Sequence, residues 1–85
     1  MAVPVFVYRP SLDVRVRQRL ESLVKAEAGD VVMESETPVD GRIMVMVSFE
    51  DELTADAFVA QAEALSGVIA EKETSMRVAG KVLYG

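Results

Sequence analysis

Two spacings of apolar residues divide the chain. Near the N-terminus Val3, Val5 and Val7 alternate with Pro4, Phe6 and Tyr8, a β-branched and aromatic run that predicts a strand. Proline lacks an N–H, so regular pairing is expected to begin after Pro4, and Arg9-Pro10-Ser11 reads as the turn out. From there the period lengthens. Leu12, Val16, Leu20, Leu23 and Val24 recur at spacings of three and four and form one helical stripe. Ser11 or Asp13 is the cap, and Gly29 is the expected stop in a left-handed conformation. Val31-Val32-Met33 opens a second strand that turns polar through Glu34, Ser35 and Glu36. Thr37-Pro38-Val39-Asp40-Gly41 supplies turn chemistry, so a hairpin with a fairly long tip leads into Ile43–Phe49, the strongest strand pattern in the chain. A second helix follows, capped by Asp51 or Thr54, with Ala55, Phe58, Val59, Ala62 and Leu65 as its stripe and Ser66-Gly67 as its end. Val68-Ile69-Ala70 starts a fourth strand that becomes polar through Ser75, and the apolar pattern returns in Met76–Gly85 without defining an element.

The order strand–helix–strand–strand–helix–strand is the ferredoxin-like βαββαβ arrangement, an α+β fold. It predicts a four-stranded antiparallel sheet in the order 4-1-3-2 with both helices on one face. The two most apolar runs are the expected central strands. The two that turn polar are the expected edges, where charge discourages edge-to-edge aggregation. One such domain spans residues 1–85.

A sheet covered on one side should alternate apolar and polar. Strands one and three do not. Ile43, Val45, Val47 and Phe49 point one way, and Met44, Met46 and Ser48 the other. On strand one, Val3, Val5 and Val7 oppose Phe6 and Tyr8. The β-branched set suits packing under helices, which leaves Phe6, Tyr8, Met33, Met44, Met46 and Ser48 for the open face. Two short helices cannot cover both faces, so this patch exceeds what a monomer usually leaves bare. Methionine adapts its shape to varied partners. Burying four such side chains is worth roughly 6–12 kcal/mol before ordering costs, against about 8 for micromolar binding. Three coverings remain open: the C-terminal tail, a sheet-to-sheet homodimer, or another polypeptide.

Composition narrows the chemistry. The chain has no cysteine and no histidine, so thiolate catalysis, cysteine-ligated metals and the commonest general base are all missing. No catalytic activity, metal or cofactor is expected. Absence of disulfides fits the cytoplasm. A formal charge of −5 repels phosphate backbones, so no nucleic acid partner is expected, while a basic peptide would be attracted. Phe6, Tyr8 and Phe49 look like an RNA-recognition sheet only in part, because the basic and glycine context is absent. No apolar run is long enough for a membrane span, and Met1–Tyr8 lacks the basic leader of a signal peptide. Glu50-Asp51-Glu52 suits a helix start better than a cation site. Arg15, Arg17 and Arg19 read as a solvated helix face. There is no phosphate-loop or nucleophile-elbow pattern, and without asparagine the phosphate site of an acylphosphatase-like hydrolase is lacking.

The stretch from Gly41 to about Ser75 resembles the NapD family, small cytoplasmic chaperones of periplasmic nitrate reductase maturation. The resemblance runs through Gly41-Arg42-Ile43-Met44-Val45-Met46-Val47, Glu50-Asp51, the second helix, and Ser66-Gly67-Val68-Ile69-Ala70. It is one of pattern. Glu71-Lys72-Glu73 and the opening Pro4-Val5-Phe6-Val7 depart from the apolar last strand and the first strand usual in the family. The resemblance implies a cytoplasmic chaperone that holds the twin-arginine signal peptide of an exported molybdoenzyme, the nitrate reductase catalytic subunit, as a helix on its open sheet face until the cofactor is loaded. The peptide's arginines would favour an acidic rim, for which Glu34, Glu36, Asp40 and Glu50 are candidates. The alternative is an ACT-like or self-associating ferredoxin-like regulatory module that buries the same face in a homodimer.

Overall fold

A computed structural model describes residues 2–73. The Met76–Gly85 tail, for which the sequence defines no element, lies outside these residues. The elements are β1 (Val3–Pro10), α1 (Val14–Ala26), β2 (Asp30–Glu34), β3 (Arg42–Phe49), α2 (Glu52–Glu63) and β4 (Ile69–Lys72). They form one four-stranded sheet in the order β2-β3-β1-β4, antiparallel at every pairing. This is the expected 4-1-3-2 order read from the other edge, in an α+β ferredoxin-like fold.

The helices cover one face of that sheet. Val3, Val5, Val7, Ile43, Val45, Val47 and Phe49 are buried together with Val16, Leu20 and Val24 of α1 and Ala55, Phe58 and Ala62 of α2. The expected division of β1 and β3 therefore holds: every second residue is buried and those between are half-buried. Phe49 and Phe58 meet with centroids 4.8 Å apart and rings tilted by 39°.

The helix starts follow sequence. Asp13 Oδ1 accepts from the Val16 N–H at 3.1 Å, and Asp51 Oδ1 from the Thr54 N–H at 2.8 Å. The Thr54 N–H holds the Asp51 carboxyl below its ordinary range. Leu12, expected in the α1 stripe, precedes the helix and is 92% exposed, because the Asp13 cap leaves it outside the first turn.

The end of α1 differs from expectation. Ala28, rather than Gly29, adopts the left-handed conformation, at φ 54°. Its N–H donates to the Lys25 carbonyl at 3.1 Å, and the Gly29 N–H donates to the Val24 carbonyl at 2.8 Å. These two bonds satisfy the last helical carbonyls and fix the turn. Gly29 answers a different need: a Cβ there would lie 2.6 Å from Phe49 Cε1. Since Ala28 occupies a region that costs an L-residue about 1–2 kcal/mol, Ala28→Gly should stabilise the fold by about 0.5–1 kcal/mol, after allowing for glycine's extra freedom in the unfolded chain. A chemical denaturation midpoint that falls in this variant contradicts the assignment.

The long hairpin tip expected from the sequence spans residues 35–41, while two details of β1, at Pro4 and Arg9, depart from the sequence reading. The β2–β3 connection closes in a two-residue Asp40-Gly41 turn with φ of 53° and 74°, flanked by reciprocal Val39–Arg42 backbone bonds of 2.9 and 3.0 Å. Both central residues at positive φ match the right-handed twist of the strands. Pairing of β1 with β3 begins at Val3, ahead of Pro4. β4 accompanies β1 only over Val5–Tyr8, so among the described strands Pro4 has a neighbour on one side alone, where proline is tolerated. Arg9 also belongs to β1, opposite Ile43, rather than to a turn.

Candidate functional site

The register assembles the open face. In an antiparallel pair, directly opposed residues share a face. Met46 sits opposite Phe6 on one side and Met33 on the other, and Phe6 in turn sits opposite Glu71. The next row runs Met44, Tyr8, Ile69. Ser48 lies opposite Pro4 and Asp30 at one end of the face, and Arg42 lies opposite Pro10 at the other. Phe6, Tyr8, Met33, Met44, Met46 and Ser48 therefore share one surface, and no described helix covers it. Phe6, Tyr8, Met44, Met46 and Ser48 are half-buried, while Met33 is 46% exposed.

Met33 reaches this surface through an irregularity. Val31 pairs with Val47 and Met33 with Met46, so the register slips between them. This bulge reverses the parity of the rest of β2. Without it, alternation from the core-facing Val31 would send Met33 under the helices and Glu34 to the open face. With it, Glu34 lies opposite Val45 on the helix side. There its Oε1 accepts from Arg9 Nη2 at 3.1 Å. The Arg9 side chain is 6% exposed, and burying an unpaired cation there would be expensive. Glu34, expected on the acidic rim, is thus committed to Arg9 beneath α1.

The other rim candidates are dispersed. Glu36 is exposed beyond the end of β2, Asp40 at the hairpin turn, and Glu50 past the far end of β3. Asp40 and Glu50 flank opposite ends of a strand about 27 Å long. The face has acidic neighbours that sequence reading missed: Glu71 beside Phe6 and Asp30 beside Ser48. Ile69, beside Tyr8 and 41% exposed, was missed too. Each depends on the register of an edge strand, which periodicity alone leaves undetermined.

On the opposite side, Lys72 of β4 bridges to α2, with Nζ 2.7 Å from Asp56 Oδ1 and 3.6 Å from Glu52 Oε2. The hydrogen bond that Lys72 donates to Asp56 raises its ammonium above the ordinary range. Among the described residues no group of three or more acidic side chains is arranged to hold a metal ion, and no helix is long and apolar enough to cross a membrane.

The class of protein defined here is the ferredoxin-like α+β domain. Solved structures share this fold, two of them as follows. One is a formyltetrahydrofolate deformylase from Burkholderia mallei, with a TM-score of 0.59 and 16% identity, matching 85% of this chain and 27% of that enzyme. The chain therefore spans about a quarter of the deformylase's length. The other is the de novo designed protein Foldit4, with a TM-score of 0.52 and 17% identity over 84% of this chain and 90% of the design. At these identities the likeness concerns the fold alone. No protein-family model and no curated protein matches the sequence.

Proposed function

We propose that this chain is a non-catalytic binding domain that receives a polypeptide on its open sheet face. The observation that carries this reading is the contiguous set Met33, Met44, Met46, Phe6, Tyr8 and Ile69, drawn from all four strands and uncovered by any described helix. Flexible thioethers beside two aromatic rings suit an apolar helix laid across the sheet. Following the resemblance to the NapD family, the peptide is the twin-arginine signal of an exported molybdoenzyme, met in the cytoplasm before export. Glu71 and Asp30, on the face itself, are placed to receive its arginines. Glu34 is withdrawn from that role by Arg9.

The test is a titration of the isotopically labelled full chain with a twin-arginine signal peptide. Saturable amide shifts should appear at Phe6, Tyr8, Met33, Met44, Met46 and Ile69, while the outer face of α1 stays still. No shift at about millimolar peptide, which corresponds to less than about 4 kcal/mol of binding, sinks the reading. So do shifts confined to the helices.

A second reading is favoured by Val31 and Val32, exposed by 54% and 57% in β2, whose outer edge no described strand pairs. They adjoin Met33, so a self-associating ACT-like module would bury this edge and the open face together. Dilution separates the two readings: sheet-face amides that shift with protein concentration alone support self-association.

A further inference from the structure

A groove of about 900 Å³ runs between α1 and α2 on the side of the molecule away from the methionine face, with Arg15, Arg19 and Leu23 of α1 and Gln61 and Leu65 from the α2 side in its lining. It follows α1 from Arg15 to Ala26, a rise of about 16 Å. Its charge is opposite to that of the chain. The protein has fourteen acidic residues and a net charge of −5, yet none of the lining side chains is acidic and the two charged ones are arginines. Neighbouring carboxylates have partners other than Arg15 and Arg19. Glu21 takes Arg17, Glu27 accepts from Gln61, and Glu52 and Asp56 hold Lys72. Among the described residues, Arg9, Arg17 and Lys72 have carboxylate partners, whereas Arg15 and Arg19, like Lys25 and Arg42, have none.

We infer that this groove is a docking site for an acidic amphipathic helix of a partner protein. Arg15 and Arg19 stand one helical turn apart, about 5–6 Å between Cβ atoms. Two carboxylates at the same spacing on a docked helix meet both guanidiniums, each able to bind in fork fashion. Gln18 and Ser22 supply further donors, while the Gln61 amide is already engaged with Glu27 and the Ala57 carbonyl. Leu23 and Leu65, with Ala26 and Ala64 between them, give a low apolar floor for the partner's own apolar stripe. The length of the groove favours a helix of several turns over a small anion, which would leave most of the floor bare. The site is independent of the open-face reading and lies on the other layer of the fold.

The experiment uses fluorescence anisotropy of the full chain with a labelled amphipathic helical peptide carrying two glutamates one turn apart, beside the same peptide with glutamines. The glutamate peptide should bind with saturation and weaken as salt rises. The glutamine peptide should bind about tenfold more weakly or worse. Arg15→Glu combined with Arg19→Glu should remove binding. Arg17→Glu, a single charge reversal whose position lies outside the groove, should change affinity by less than about threefold. Circular dichroism checks that each variant is folded, and the peptide swap needs no variant. Equal binding of both peptides overturns the proposal, as does an Arg17→Glu loss matching that of the groove variant, which would mean diffuse charge attraction. Sedimentation showing a dimer broken by the groove variant overturns it as well, since the occupant would then be a second copy of this chain.

Discussion

Phe58→Ala should cost about 3–5 kcal/mol of folding free energy and lower the melting temperature by at least about 12 °C. Phe58 is fully buried in α2 and packs against Phe49, the largest side chain that β3 contributes to the core. It also borders a cavity of about 40 Å³ shared with Val7, Leu20, Val24, Val45 and Val47. Removing the ring would enlarge that void, and the cost of such substitutions rises with residual cavity volume. A chain of 85 residues has about 4–13 kcal/mol in total, at about 0.05–0.15 per residue. The substitution therefore takes a large share, and at the low end of the range it unfolds the protein. Thermal and urea unfolding measure it. A midpoint within about 5 °C of the parent would show that the ring does not bridge α2 and β3 as described.

Much of this architecture was legible in the sequence because its strongest signals are local. The Val–x–Val alternation of β1 and the Ile–Met–Val–Met–Val run of β3 state their own periods. With helical stripes between strands, the order of elements leaves little topological choice. What escaped reading depends on partners distant in sequence. The register slip between Val31 and Met33 carries no signature of its own, yet it sends Met33 to the open face and Glu34 to the core side. Arg9 looks like a turn residue until Glu34 is known to meet it. Ala28 is a local exception: an alanine gives no sign of a left-handed cap, and it is held there by bonds that the Ala28 and Gly29 N–H groups donate to the Lys25 and Val24 carbonyls. The methionine face was thus visible from its two central strands. Its edge members, Ile69, Glu71 and Asp30, required the sheet register.

The double substitution Met44→Ser with Met46→Ser should leave the fold nearly as stable as the parent and weaken signal-peptide binding at least about tenfold, or about 1.4 kcal/mol. Both side chains lie on the face away from the helices, half-buried among Phe6, Tyr8 and Met33. Substitutions outside the core usually stay within about 0.5 kcal/mol each. Binding is another matter, because the two thioethers occupy the middle of the patch and a docked helix would lose its central apolar contacts. Val45→Ala is the opposite case. Val45 sits between Met44 and Met46 in sequence but faces the helices, 8% exposed, so its truncation should destabilise the fold by roughly 1–3 kcal/mol and leave affinity unchanged in the folded fraction. Comparing thermal unfolding and peptide affinity across the two variants separates the roles of adjacent residues on one strand. If the methionine pair unfolds the protein, those side chains are core and some further part of the structure covers them. If the pair is stable and binds every twin-arginine peptide as tightly as the parent, the open face does not hold the peptide, and the chaperone reading loses the observation that carries it.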